Sequence, residues 1–288
     1  MDINLTPPQS EFFSCKSEHV AAVAGFASGK SEASIVSLLS TMIQNPGVDM
    51  GYFAPTYGLI RDIFYPRISD KLDELGIMHK INKSEHIVSI QGLGNIFCRS
   101  MDSPGQIVGF EIGDAFIDEL DILAIDKALE SYRKISARCR IEYKSGKVNQ
   151  KKVTTTPEGF KSTYQLFKKD PLVDSTLIQM TTYSNQANLP PDYIQGLKDQ
   201  YPKELISAYL MGEFVNLTSG SVYHFDRERN HLTWQEWQAR IEAGLISMTC
   251  IQRQFLDSSL MANSTSIKNM LIIMILPLLF KALKTTIK

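Results

Sequence analysis

Taken only as apolar and polar positions, the chain passes repeatedly from short buried strands to amphipathic helices. EHVAAVAG (18–25) reads as a buried strand, and beyond a Gly-rich turn Ile35, Leu38, Leu39 and Met42 recur at helical spacing. VDMGYFAP (48–55) is a second strand, closed by Pro55. The stretch 57–76 is mostly helical, with Pro66 as an interruption and Gly76 as a stop. EHIVSIQGLGNIFCRS (85–100) predicts a hairpin. GDAFIDELD (113–121) holds a short buried strand, and 122–140 an amphipathic helix. KKVTTTPEGF (151–160) predicts a strand running into a turn, followed by a helix over 161–170. STLIQMTTYSN (175–185) predicts another strand. Helices over 191–200 and 202–214 each open on a proline, which fits a first turn that needs no N–H. Such alternation predicts an α/β fold, a mostly parallel sheet covered by helices on both faces.

Composition narrows the class without deciding the function. A hydrophobic share of 43% and a charged share of 21% fit a globular chain, and 288 residues suffice for one large domain or one domain with part of another. A net charge of -1 excludes a bulk basic coat for nucleic acid, so any DNA contact is local or arises in an assembly. Cys15, Cys98, Cys139 and Cys250 form no C-x-x-C pair and have no histidine at metal spacing, which points to buried thiols in a reducing cytosol. The start of the chain lacks the charge and apolar pattern of a signal peptide. The run 270–280 is apolar, but it is short for a bilayer-spanning helix and contains Pro277, so no membrane anchor is expected.

The candidate chemistry lies at the ends of the predicted strands. AGFASGKS (24–31) approaches the phosphate-binding pattern G-x-x-x-x-G-K-[ST], with Ala24 where the first glycine is usual. A strand before it and a helix after it are the context a phosphate loop requires. Small residues let backbone N–H groups converge on phosphate oxygens, and the helix N-terminus adds its dipole. On this reading Ala24, Gly25, Phe26, Ala27, Ser28, Gly29, Lys30 and Ser31 bind the nucleotide. Lys30 reaches the β/γ-phosphates and Ser31 ligates Mg2+. Ala24 is tolerable if its position needs no positive φ. The competing reading is an exposed lysine at a helix start. The carboxylates Asp118 and Glu119 end an apolar strand, where Asp118 would hold the metal and Glu119 would polarise the attacking water. Acids favoured by a helix N-terminus are the alternative, which explains Asp121 better than Asp118. Thr155 and Thr156 precede Pro157, as γ-phosphate sensors or as a simple hydroxyl turn.

With these residues in place, residues 5 to about 230 resemble the large terminase subunit of tailed bacteriophages, on LTPPQSEFF, AGFASGKS, APTY, MDSPGQIVGFEIGDAFIDELD, TTTPEGF and YLMGEFVN. The resemblance implies an additional-strand, conserved-glutamate P-loop ATPase that uses ATP and Mg2+ to translocate double-stranded DNA into procapsids. It implies a ring assembled with a small subunit and a portal protein, in the cytoplasm of a bacterial host. It gives Gln9 the role of an adenine contact, Lys30 and Ser31 those of Walker A, Asp118 and Glu119 those of Walker B, and Thr154 to Thr156 that of a coupling motif. Many relatives carry an arginine where this chain has Phe26, and another where it has Val108. The charge-stabilising arginine is therefore open, with Arg61 and Arg99 as candidates.

Residues 1–215 are thus expected to form the ATPase domain, 216–244 a linker toward a missing nuclease domain, and 245–288 an aberrant tail. After Glu242 the only acid is Asp257, too few carboxylates for a two-metal nuclease. Codon freedom allows 261–288 to be read one base earlier as a polar segment without a stop, so a frameshift is one origin for the tail and a genuine apolar helix the other. A helicase-like P-loop NTPase and an inactive truncated terminase remain the alternative functions.

Overall fold

The computed structural model describes residues 4–216. The expectations for the linker, the absent nuclease and the tail lie outside these residues.

In chain order the described elements are α1 (Pro7–Ser14), β1 (His19–Ala24), α2 (Lys30–Gln44), β2 (Met50–Ala54), α3 (Tyr57–Leu59), α4 (Tyr65–Glu74), β3 (His79–Asn82), β4 (Ile87–Ile90), β5 (Gly94–Ser100), β6 (Ala115–Asp118), α5 (Ile125–Ser136), β7 (Lys151–Thr155), α6 (Ser162–Tyr164), β8 (Ser175–Met180), α7 (Tyr193–Gln200) and α8 (Lys203–Met211). The strands form one sheet in the order β3-β4-β5-β2-β6-β7-β1-β8. From β5 to β8 every neighbouring pair is parallel, and β3 and β4 add an antiparallel edge. The fold is therefore α/β with a mixed, mostly parallel sheet.

Strand alternation distributes the core to two faces. On one face Val20, Ala22 and Ala24 of β1 meet Phe12 of α1 and Ala33 of α2, while Met50, Tyr52 and Phe116 meet α2 and α4 through Leu38, Met42, Ile68 and Leu72. On the other face Ala21, Phe53, Ala115, Ile117 and Val153 meet Ala128, Tyr132 and Ile135 of α5. Each fully buried Phe or Leu contributes about 1.5–3 kcal/mol relative to exposure. Covering both faces explains why the strands read as continuous apolar runs instead of strict alternation.

Three local differences from the sequence reading have physical causes. The helix expected over 57–76 contains one π turn, Ile60–Phe64, immediately before Pro66 in the first turn of α4. Proline has no N–H to donate and its ring crowds the carbonyl four residues back, and the wider turn accommodates both. The helix over 161–170 likewise passes from α6 into a π turn, Gln165–Lys169. The strand expected to reach Asn185 ends at Met180, and Thr182–Asn188 is 3-10 helix, opened by the Thr181 hydroxyl accepting from the Ser184 N–H.

Candidate nucleotide site

The carboxyl ends of β1, β6 and β7 lie side by side, the edge at which open α/β sheets bind ligands. Behind β1 the loop 25–29 turns into α2. Its left-handed positions are Ala27 (φ 52°) and Gly29 (φ 86°), while Ala24 ends β1 in register with Met180. Gly25 is demanded by space instead of conformation: a Cβ there would lie 2.6 Å from the Leu210 carbonyl oxygen and 2.7 Å from Thr182 Oγ1. At Gly29 a Cβ would run into the Gln9 amide.

The loop is gripped from distant parts of the chain. The Gln9 amide donates to the Gly29 carbonyl at 2.9 Å and its oxygen accepts from the Thr6 N–H. Thr182 Oγ1 donates to the Phe26 carbonyl at 2.7 Å, and Asn185 Nδ2 to that of Ala27 at 2.8 Å. The Phe26 ring stacks on Tyr209 with centroids 4.5 Å apart. Sequence reasoning gave no role to Thr182, Asn185 or Tyr209; Tyr209 opens the quoted segment YLMGEFVN, but its contact with a loop so remote in sequence is not visible there. The grip also narrows the expected ligand set. The N–H groups of Gly25 and Phe26 are committed to the carbonyls of Met180 and Tyr209, which leaves these two residues no free backbone donor for a ligand. Donors for an anion are the Ala27 N–H and those from Gly29 into the first turn of α2, which have no intrahelical acceptor, while the Ser28 N–H is held by the Gly25 carbonyl at 3.4 Å.

Opposite the loop, Glu119 occupies a left-handed conformation (φ 52°), a sparsely populated region for a residue with a Cβ. Its N–H is held by the Thr154 carbonyl at 2.7 Å, and its carboxylate accepts from the Thr156 N–H at 3.1 Å. The same carboxylate pairs with Lys30 at 3.0 Å. Phosphate loop, acid pair and threonine turn are thus one connected assembly.

Asp118 is 7% exposed and accepts hydrogen bonds from Tyr52 at 2.9 Å and Thr154 at 2.8 Å. Burial, reinforced by the neighbouring Glu119 charge, pushes its carboxyl above the ordinary aspartate value. The Tyr52 hydroxyl is pushed well up by burial and by that same carboxylate, so it stays a donor. Asp121 joins the threonine turn only through its backbone, its N–H donating to Thr155 Oγ1 at 3.2 Å. It accepts from the Thr163 N–H and hydroxyl, and burial raises it to about 6.

The residues present fit a bound Mg-nucleotide. Ser28 Oγ and Thr156 Oγ1 are buried without a hydrogen-bond partner, one in the loop and one in the turn facing it. Among the described residues no group of three His, Cys, Asp or Glu side chains is placed to hold a metal. Of the two proposed arginines, Arg61 forms a double hydrogen bond with Asp62, and Arg99 donates to the carbonyls of Glu85, His86 and Cys98. Both are committed elsewhere.

The family described as terminase large subunit, T4-like-virus type, N-terminal, matches residues 21–230. No curated protein sequence matches the chain. The large terminase of a thermophilic bacteriophage, solved also with ADP, superposes with a TM-score of 0.61 at 16% identity, over 74% of this chain and 54% of that one. The ATPase domain of the large terminase of a Thermus phage superposes with a TM-score of 0.56 at 15% identity, over 74% of this chain and 94% of that one. The match thus covers about half of the first of these chains and nearly all of the isolated ATPase domain.

Proposed function

The chain belongs to the terminase large subunit family, in its T4-like-virus-type N-terminal region, and on that premise we propose that residues 4–216 hydrolyse Mg-ATP. The observation that carries the proposal is the joining of loop and acid pair: Lys30 at the head of α2 lies 3.0 Å from Glu119 at the end of β6. The N–H groups of Ala27, Gly29, Lys30 and Ser31 and the Lys30 ammonium bind the polyphosphate. Ser31 and Asp118 hold Mg2+. Bound there, the ion neutralises charge on the transferring phosphoryl group. Glu119, once released from Lys30, orients and deprotonates water. Thr155 and Thr156 transmit its position to the rest of the sheet, because the Thr156 N–H rests on the Glu119 carboxylate. Gln9 holds the loop at Gly29 and borders the nucleotide from the α1 side.

Family membership displaces the helicase-like alternative, and supports a role in moving double-stranded DNA with a small subunit and a portal protein, in a ring within the host cytoplasm. Contacts to such DNA go to the phosphate backbone and need no base readout. Among the described residues no helix is long and apolar enough to cross a membrane. The test is phosphate release from Mg-ATP by the full chain beside Lys30→Ala. Turnover in the wild type that disappears with Lys30 supports the reading, and nucleotide binding without any turnover identifies an inactive remnant.

A further inference from the structure

We propose that Arg67, a residue no motif singled out, is the second side-chain cation of the nucleotide site and contacts the polyphosphate directly from within the same chain. The inference rests on the nucleotide reading above and adds a residue to it.

A cleft of about 290 Å3 opens over the phosphate loop, lined by Ala27, Ser28, Lys30 and Ser31, with Arg67 and Asn185 at its sides. Arg67 belongs to α4, and its place over the loop is fixed by helix register. Lys71, four residues on and on the same face of α4, pairs with Glu32 in the first turn of α2 at 3.0 Å. Leu75, one further turn along, lines a second cleft with Val36 and Leu39 of α2. The two helices therefore advance together, 75 beside 36 and 39, 71 beside 32, and 67 beside the loop that precedes α2.

Charge accounting gives this position its meaning. Lys30 is matched by Glu119, and Asp118 adds another buried negative charge. Without Arg67 the side chains around the cleft carry no uncompensated cation to receive a polyphosphate. Phe26, inside the loop, is turned against Tyr209 and supplies none. Among the described residues no carboxylate or carbonyl pairs with the Arg67 guanidinium, in contrast to Arg61, Arg99 and Arg140, each of which has partners of its own. A planar guanidinium with free donors suits paired phosphate oxygens, and such charge-assisted bonds are the strong ones.

The experiment measures affinity for fluorescent ADP and ATPγS with Mg2+, and the nucleotide-free melting temperature, for the full chain and for Arg67→Ala, Arg67→Lys and Lys30→Ala. Arg67→Ala is expected to weaken binding of ATPγS roughly tenfold to a hundredfold, with an unchanged melting temperature because Arg67 is exposed. Arg67→Lys should restore part of the loss. Affinities within about twofold of wild type in Arg67→Ala, while Lys30→Ala loses binding, overturn the assignment of Arg67 and leave the nucleotide site standing. Affinity lost together with melting temperature also overturns it, as a structural effect. A wild-type chain that binds neither nucleotide removes both readings.

Discussion

Two buried aspartates bound the same strand and live in opposite circumstances. Asp114, just before β6, is fully buried and accepts from Tyr143 at 2.7 Å, the Gln150 N–H at 2.9 Å and the Lys147 ammonium at 2.6 Å. Asp118, at the far end, accepts only from hydroxyls and has a second carboxylate beside it. One edge of the sheet closes its charge with an internal cation, and the other gives it only hydroxyl partners. Identical side chains on one strand thus divide between holding the fold and preparing a site, and the division follows the direction of the strands.

The largest effect expected on this comparison is at the open edge. Glu119→Gln should lower ATP turnover by roughly 10^2–10^4-fold while nucleotide still binds, as read by phosphate release and by titration with a fluorescent nucleotide. Unchanged turnover would remove the base assignment. At the closed edge, Asp114→Ala should destabilise the fold by about 3–5 kcal/mol, because Lys147 and Tyr143 lose their shared acceptor, and a urea midpoint measures it. A loss under about 1 kcal/mol would show that Asp114 is not a structural anchor.

Asp121 is an intermediate case, and pH exposes it. Its folded carboxyl is raised to about 6 by burial, against the Thr163 hydrogen bonds and the Lys161 charge. A raised folded value means that the native state keeps the proton longer than the unfolded chain. Its contribution is fully present below about pH 4 and is lost as pH rises through about 6, by at most about 3 kcal/mol. Asp121→Asn should flatten that part of the stability–pH profile, and an unaltered profile would contradict the assignment. The smallest effect is on Asp118→Asn in the nucleotide-free protein. Relief of an unneutralised buried charge should leave stability unchanged or raise it by about 1 kcal/mol, the opposite sign to Asp114, while dependence on Mg2+ is lost. A melting temperature that falls as far as in Asp114→Ala would erase the distinction between the edges.

Much of this was legible in the sequence because it is local. The strand ending in Asp118 and Glu119, the loop before α2 and the threonine strand each announce themselves within a few residues. The short strand β3 did not, since HKIN (79–82) carries too few apolar positions to set a period and pairs only through its neighbour β4. The glycine question resolves through packing: Gly25 is required by the carbonyls of Tyr209 and Leu210, which belong to α8 at the other end of the described chain. Arg67 was invisible for the same reason. Its meaning depends on the register of α4 against α2, whereas Arg61 and Arg99 attracted notice and proved committed to local partners.

The contact between Lys30 and Glu119 has a further thermodynamic consequence. With Lys30 in its proposed role, the carboxylate resting on it is a tethered competitor for the incoming anion, present at a high effective concentration. Under the proposed function an incoming nucleotide competes with this carboxylate for the ammonium, and a departing product is replaced by it without diffusion. On the same premise, neutralising Glu119 is expected to tighten nucleotide binding even as turnover is lost.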